Sequence, residues 1–169
     1  MLTAGDAYKA LAPAVLAYLR AQRVADPEDL LGEVFLQVAR DIGRFSGDAA
    51  GMRRWVFAIA HNRVLDARRR VARRPRVVDG EVPEAAAAGS GFGSGSGFAP
   101  AEPVDPALVA ALASLTPDQR EVVLLRFVAD LSLEDVARLT RRRVGAVKAL
   151  QHRGLENLGR ILPGAHDAV

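Results

Sequence analysis

Apolar residues recur at helical spacing through the first quarter of the chain and predict two amphipathic helices. The first is expected from about Ala4 to Arg23, with a bend or a break near Pro13. Its apolar face consists of Tyr8, Leu11, Val15 and Leu19. The second begins at Asp26, an N-cap acid followed by proline and two more acids, and continues to about Ile42. Its core stripe consists of Leu30, Leu31, Val34 and Val38, widened by Phe35, Leu36 and Ile42. This breadth is compatible with a helix buried on most sides and with one that uses part of its apolar surface for a partner.

A third helix is predicted from Gly51 to Arg74, because neither proline nor glycine follows Gly51 in this stretch. One face is apolar and is expected to pack inward; it contains Val56, Ala60, Val64, Ala67 and Val71. The opposite face changes from aromatic to amide and carboxylate and then to arginine; it contains Trp55, Ile59, Asn62, Asp66, Arg69 and Arg73. Such a face can stack on a base, hydrogen-bond a base edge and neutralise phosphates, although a helix with a solvated basic end has the same pattern.

The last third of the chain predicts four more helices. Leu108, Leu112 and Leu115 indicate a short one, and the capping signals at Thr116 and Ser132 start the next two. A turn at residues 140–143 then precedes a longer helix. A short helix, a tight turn and a second helix with a basic outer face are typical of a helix-turn-helix.

The last helix has two chemically different sides. The inward side is predicted to contain Val147, Leu150, Leu155 and Leu158. The outer side contains Lys148, Ala149, His152 and Arg153, and the helix entrance contains Arg141, Arg142 and Arg143. Lysine and arginine can hydrogen-bond guanine in the major groove, histidine can donate to an acceptor, and a small alanine permits close approach.

Composition separates these two helical parts. Residues 75–105 are rich in Gly, Ser, Ala and Pro without an apolar period, which predicts a flexible linker with an r.m.s. span of roughly 30 Å. Residues 1–74 carry 13 Lys+Arg and 8 Asp+Glu, residues 75–105 carry 1 and 5, and residues 106–169 carry 9 and 7. We therefore predict an all-α protein in which two small helical domains, 1–74 and 106–169, are joined by a flexible acidic linker.

Several classes of function are excluded or disfavoured by what the sequence lacks. Without cysteine there can be neither disulfides nor thiolate metal sites, and His61, His152 and His166 are not at metal-ligand spacing. We find no signal peptide and no apolar run of bilayer-spanning length, so we expect a cytoplasmic protein without membrane insertion. No P-loop, paired carboxylates or activated nucleophile stands out, so we expect no enzyme, cofactor or metal.

Three stretches, in this order, resemble bacterial RNA polymerase sigma factors of the extracytoplasmic-function (ECF) group, which keeps only regions 2 and 4. They are DPEDLLGEVFLQVARD, then FSGD with MRRWVFAIAHNRVLDARRR, then LTPDQREVVLLRFVADLSLEDVA with VGAVKALQHRGL. The resemblance implies that region 2 occupies 1–74 and region 4 occupies 106–169. It further implies a factor that binds the polymerase core and directs promoter-specific initiation by recognising −10 and −35 elements.

The resemblance also implies partners and residue roles. Region 2 would bind the clamp helices of the largest polymerase subunit through Asp29, Leu30, Glu33, Val34 and Gln37. The −10 element would be contacted by Phe45, Ser46, Gly47, Asp48, Trp55, Asn62, Arg63, Asp66, Arg69 and Arg73. The −35 element would be contacted by Arg141, Arg142, Arg143, Lys148, Ala149, His152 and Arg153. The flap of the second-largest subunit, promoter DNA and an anti-sigma factor are the other implied partners.

Four positions depart from the family pattern. Gly32 replaces a frequent polar residue, Arg141 replaces a frequent glycine in the turn, Arg143 replaces a serine-like cap, and Gln151 replaces an apolar residue. Two other functions remain compatible with parts of the chain. A helix-turn-helix regulator would need only the second domain, and an adaptor for protein partners alone would leave the arginine-rich faces unexplained.

Overall fold

The structure is a computed structural model that describes residues 3–73 and 105–162. Within these two ranges it contains seven α-helices, one 3₁₀ turn at Ile42–Arg44 and no strand, so the predicted all-α class is confirmed. The helices are α1 (Ala4–Ala21), α2 (Pro27–Asp41), α3 (Ala49–Arg73), α4 (Pro106–Ser114), α5 (Pro117–Phe127), α6 (Leu133–Thr140) and α7 (Val144–Ile161). The predicted linker lies outside the described residues except for Asp105.

Local capping chemistry determines where several helices begin. The Asp26 carboxylate accepts from the Asp29 backbone N–H at 3.1 Å, and Pro27 occupies the first position of α2. Thr116 and Gln119 form a reciprocal capping box at the start of α5, and Ser132 caps α6. Each cap satisfies a backbone donor that has no partner inside the helix, which is why these starts follow from sequence.

The first three helices pack against one another around buried aliphatic and aromatic side chains. In α1 the ring of Tyr18 meets that of Phe57 edge-on at 5.8 Å, and the rings of Tyr8 and Phe35 join α1 to α2 at 4.9 Å. α1 continues unbroken from Ala4 to Ala21 with Pro13 inside it, so the alternative of a break near Pro13 is wrong. Buried neighbours on either side of Pro13 hold α1 in place, so packing outweighs the missing backbone donor.

Helices α4 to α7 form the second group, and α5 lies at its centre. The seven consecutive side chains of 119–125 are all buried, so α5 is covered on every side. One side of α5 contributes Val123 to a small cluster with Ala111, Leu115 and Leu158. α5 also packs against α6 and α7, which gives the helix-turn-helix its support.

The two groups pack directly against each other. α1 contacts both α4 and α5, and one apolar core extends from α1–α3 into α5, α6 and α7. Arg53 Nη1 donates to the Ala129 carbonyl at 3.3 Å, and Arg54 Nη1 lies 3.6 Å from Asp135 Oδ1. We refer to this contact between α1–α3 and α4–α7 as the closed packing.

Several predicted core positions differ in the structure. Val71 is 66% exposed, Leu36 is 60% exposed and Leu155 is 40% exposed, although all three were expected to face inward. Conversely, Ile59 on the predicted polar face is buried. Val71 lies in the last turns of α3, where residues 69–73 are all exposed. On α7, buried Gly154 occupies the inward position beside Val123, which places Leu155 on the outside.

Candidate nucleic-acid interface

Some side chains on the polar face of α3 are exposed to solvent, and others are paired with residues of the protein. Asn62 and Arg73 are exposed, and Arg69 Nη1 lies 3.5 Å from Asp66 Oδ1 one turn away. Arg63 instead reaches α2, where its Nη2 donates to Gln37 Oε1 at 2.8 Å. The exposed part of this face therefore presents an amide, an ion pair and a terminal arginine to solvent.

The loop before α3 contributes an aromatic stack. The rings of Phe45 and Trp55 are 5.2 Å apart with an interplanar angle of 20°, and both side chains are half-buried. A Cβ on Gly47 would lie 2.9 Å from the Phe45 ring, so this glycine permits the loop to close over it. Ser46 and Asp48 are exposed, and Asp48 Oδ1 accepts from the Gly51 backbone N–H at 2.8 Å. Asp48 thus serves as a cap for α3, a role that the sequence interpretation missed.

The predicted polymerase-binding set is only partly at the surface. Asp29 is exposed and Glu33 and Gln37 are half-buried, but Leu30 and Val34 are 7% and 0% exposed. Leu30 and Val34 belong to the apolar stripe of α2 that packs onto the core, so their side chains do not lie at the surface of this structure, and their contact with polymerase stays a prediction. Leu36, one of the residues that widen the apolar stripe of α2, is 60% exposed next to this set, as the alternative of a partner contact would require.

The second candidate face lies on α7. Lys148, Ala149, His152 and Arg153 are all exposed, as the sequence predicted for an outer side. His152 Nε2 lies 3.5 Å from Glu156 Oε1 in the next turn, and Arg153 Nε donates to the Ala149 carbonyl at 3.2 Å. These contacts stay within one helix and leave the four side chains on its outer surface.

The arginines at the entrance of α7 occupy three different settings. Arg141 adopts the left-handed conformation, with φ 56° and ψ 38°, and ends α6. Arg143 is exposed at the cap position of α7 without capping it through its side chain. Arg142 turns back onto α5, where its Nη2 lies 2.7 Å from Asp118 Oδ1.

A buried polar cluster joins the two helical groups. The Tyr18 hydroxyl lies 3.2 Å from His61 Nδ1, and Glu121 Oε1 lies 3.6 Å from the same nitrogen. Burial, assisted by the charge of Arg68, lowers the pKa of His61 to about 4, whereas burial raises the pKa of Glu121. Burial also raises the pKa of Tyr18. His61 is therefore a buried residue that is neutral at neutral pH.

Two kinds of feature are absent from the described residues. Among the residues that the structure describes, no group of three or more His, Asp or Glu side chains could hold a metal ion. In the same ranges, no helix combines the length and the apolar character that crossing a bilayer requires.

Comparison with known families matches both helical groups. Residues 7–74 match the family "Sigma-70 region 2", and residues 106–158 match "Sigma-70, region 4". The chain is 34% identical over 151 residues to the ECF RNA polymerase sigma factor BldN of Streptomyces coelicolor, covering 86% of this chain and 54% of that protein. It is also 34% identical over 163 residues to the RNA polymerase sigma factor CarQ of Myxococcus xanthus, covering 93% and 87%. The chain thus spans about half the length of BldN.

Two solved structures have a similar fold. One is the sigma factor RpoE in complex with the anti-sigma factor NepR from Bartonella quintana, with a TM-score of 0.71, 22% identity, and coverage of 94% of this chain and 95% of that one. The other is CnrH in complex with the cytosolic domain of CnrY, with a TM-score of 0.59, 18% identity, and coverage of 94% and 86%.

Proposed function

The chain belongs to the extracytoplasmic-function group of RNA polymerase sigma factors, and from that premise we propose that it binds the polymerase core and directs initiation at promoters whose −10 and −35 elements it recognises. We assign region 2 to residues 1–74 and region 4 to residues 106–169, with an acidic linker between them. The observation that carries the proposal is the pair of exposed polar faces, one on α3 and one on α7.

The α3 face and the loop before it are suited to the −10 element. Asn62 presents both an amide donor and an acceptor, Arg69 and Arg73 supply positive charge, and the Phe45–Trp55 stack provides aromatic rings near the same face. Unpaired bases bind to proteins mainly by stacking and by hydrogen bonds to their exposed edges. We propose that promoter melting draws its free energy from this binding, so that the protein acts without catalytic chemistry of its own.

The α7 face is suited to duplex DNA in the −35 element. Its exposed Lys148, His152 and Arg153 lie on one side of a helix that follows a tight turn. A helix of this kind can enter the major groove and contact base edges. Arg141 and Arg143 lie at its start, where phosphates would be closest.

Two protein partners complete the proposal. Asp29, Glu33 and Gln37, together with exposed Leu36, would bind the clamp helices of the largest polymerase subunit. Region 4 would bind the flap of the second-largest subunit. In the solved structures that share this fold, the sigma factor RpoE is bound to the anti-sigma factor NepR, and CnrH is bound to the cytosolic domain of CnrY. We propose that an anti-sigma factor binds this chain as well.

The decisive experiment is reconstituted transcription from a promoter library with polymerase core and this protein, followed by sequencing of the run-off transcripts. We expect transcripts that share two upstream motifs at a fixed spacing. Transcription that stays at the level of core polymerase alone would contradict the proposal.

Lys148→Ala tests the −35 assignment within the same system. We expect promoter affinity to fall by about 1–3 kcal/mol when the −35 element is intact, if Lys148 contacts a base. Arg160→Ala is the matched control, because Arg160 is an exposed cation near the other end of α7 and outside the predicted set. Equal losses for both variants would remove Lys148 from the base-contacting set.

A further inference from the structure

Arg142 differs from the other basic residues of the helix-turn-helix in where its charge is directed. Its Nη2 lies 2.7 Å from Asp118 Oδ1, and its side chain is 32% exposed. Its Nε is buried and makes no hydrogen bond within the structure. By contrast, the neighbouring Arg141 and Arg143 are exposed. The guanidinium of Arg142 thus faces the first turn of α5 rather than the outer side of α7.

The backbone of the turn produces this orientation. After Arg141 adopts its left-handed conformation, the Arg142 backbone N–H donates to the Ala137 carbonyl at 2.9 Å. This bond closes the C-terminus of α6, and α7 begins two residues later at Val144. A side chain at position 142 is therefore attached to the point that fixes the angle between α6 and α7.

The partner on α5 is suited to hold that point. Asp118 occupies the first turn of α5, and Glu121 follows three residues later on the same side, where the charge of Arg142 acts on it. The positive charge of Arg142 is thus balanced within the chain by α5, through a carboxylate that is itself 55% exposed. A cation balanced in this way is less available to a phosphate than an unpaired one.

A second polar contact joins α5 to the middle of α7. Arg126 Nε donates to Gln151 Oε1 at 3.0 Å, and its Nη1 also donates to the Leu131 carbonyl. Gln151 is half-buried on the side of α7 that contains Gly154 and Leu158. Farther along α7, Asn157 Nδ2 donates to Gln119 Oε1 of α5 at 3.1 Å. The orientation of α7 on α5 is consequently set by the Arg142–Asp118 ion pair and these two side-chain hydrogen bonds, in addition to apolar packing.

We propose that Arg142 is a positioning residue that aligns α7 for the −35 element through its ion pair with Asp118, and that it does not contact DNA itself. The proposal rests on the proposed function of region 4 and refines it. If it is correct, Asp118, an acidic residue on α5 and not on α7, contributes to promoter discrimination.

The test uses the full chain bound to polymerase core, with promoters recovered from the run-off library. The measured quantity is the ratio of holoenzyme affinities for a promoter with an intact −35 element and the same promoter with that element scrambled. We expect Arg142→Ala and Asp118→Ala each to lower this ratio by about three- to tenfold, and the double variant to lower it no further. The slope of log affinity against log salt should stay unchanged.

A phosphate contact by Arg142 predicts the opposite pattern. Arg142→Ala would then weaken both promoters equally and reduce the salt slope by about one, and Asp118→Ala would leave or improve affinity because it removes a negative charge. Either result overturns the proposal. Glu134→Ala is the matched control, because it removes an exposed carboxylate from α6 and should not lower the ratio.

Exchanging the charges of residues 142 and 118 controls for the possibility that a single variant loses activity only because it unfolds. Arg142→Asp and Asp118→Arg should each lower the ratio, whereas the two together should restore most of it. A double exchange no better than the single ones overturns the proposal. A wild-type ratio of one would instead overturn the proposed function of region 4, and this inference with it.

Discussion

Arg141 has a strained backbone conformation, and its side chain makes no packing contacts within the protein that would offset the strain. Its φ of 56° and ψ of 38° lie in the left-handed region, which costs an L-residue other than glycine roughly 1–2 kcal/mol. The side chain is exposed, so packing does not offset this cost. A sequence that keeps arginine where glycine would fit without strain suggests that the guanidinium acts outside the folded chain.

We therefore expect Arg141→Gly to stabilise the protein while weakening its binding to DNA. Relief of the strained backbone, less the extra entropy of glycine in the unfolded chain, should raise the free energy of unfolding by about 0.5–1 kcal/mol. Urea unfolding measures the first effect. The salt slope of promoter binding, expected to decrease by about one, measures the second.

The matched control is Arg143→Gly. Arg143 is equally exposed but has φ −73° and ψ 147°, a conformation that any residue adopts. This variant should gain no stability. An equal gain in both variants would show that strain at position 141 is not the cause.

At the scale of single helices, the close approach of α7 to α5 depends on Gly154. A Cβ at this position would lie 2.9 Å from Val123 Cγ2, and Val123 is itself buried. The branched valine has few rotamers with which to move away. The contact therefore opposes the ordinary preference for alanine over glycine inside a helix.

Gly154→Ala and Gly159→Ala should change stability in opposite directions although both lie in α7. We expect Gly154→Ala to lower the free energy of unfolding by about 1 kcal/mol, because overpacking exceeds the gain in helix propensity. Nothing lies within 4 Å of a Cβ at Gly159, so Gly159→Ala should raise it by about 0.5–1 kcal/mol. Chemical denaturation of both variants decides the matter. If Gly154→Ala were instead more stable than the wild type, α5 and α7 would be able to move slightly apart without losing free energy of unfolding.

The helices themselves were largely predictable, but not every buried face was. Helix starts at Asp26, Thr116 and Ser132 follow from hydrogen bonds within three residues, which a sequence displays directly. The inward side of α7 was predicted to include Leu155, whereas the structure uses Gly154 there. Periodicity locates an apolar face only to within a neighbouring position, and packing against α5 makes the final choice.

The candidate site divides in the same way. The exposed outer side of α7 follows from the helical periodicity of polar and apolar residues, so Lys148 and His152 were correctly predicted to lie at the surface. The contacts of Arg142 with Asp118 and of Arg63 with Gln37 depend on which helices meet. No local pattern in the sequence predicts these contacts between helices. Whether any of these residues contacts DNA stays a prediction.

At the scale of the whole molecule, two buried titratable groups in the closed packing, His61 and Glu121, make stability change with pH in opposite directions. His61 has a pKa of about 4 in the structure against an ordinary 6.5, so protonation opposes folding. Its contribution to stability is complete above pH 6.5 and is lost as pH falls toward 4, by on the order of 3 kcal/mol at most. The raised pKa of Glu121 has the reverse effect, because stability is lost as pH rises above the ordinary value of 4.5.

Removing either group should therefore change the pH dependence of stability in a defined direction. Relative to the wild type, Glu121→Gln should make the free energy of unfolding rise more steeply between pH 4.5 and 6.5. His61→Gln should make it rise less steeply or fall. Urea unfolding across this range measures both slopes. Changes of the same sign in the two variants would contradict the assignment of these groups.

The closed packing also limits how the molecule can use its two faces at once. A compact body of the size of the described ranges is roughly 36 Å across, by the usual scaling of radius with length. Elements centred at −10 and −35 are about 25 base pairs apart, which is roughly 85 Å along B-DNA. The face on α3 and the face on α7 therefore cannot contact both elements while α1 still packs on α4 and α5. A fully extended chain over residues 74–104 reaches about 100 Å, which is sufficient once the packing opens.

Fluorescence energy transfer between dyes on the two helical groups measures this opening. The chain has no native cysteine, so Ala39→Cys and Arg160→Cys give unique exposed labelling sites on α2 and α7. We expect high transfer in the free protein and low transfer on polymerase bound to a promoter with both elements, because the two elements are roughly 85 Å apart. The same doubly labelled chain with the promoter but without polymerase is the control for effects of DNA on the dyes. High transfer that persists in the polymerase–promoter complex would mean that the closed packing survives there, and that this chain does not contact both elements simultaneously.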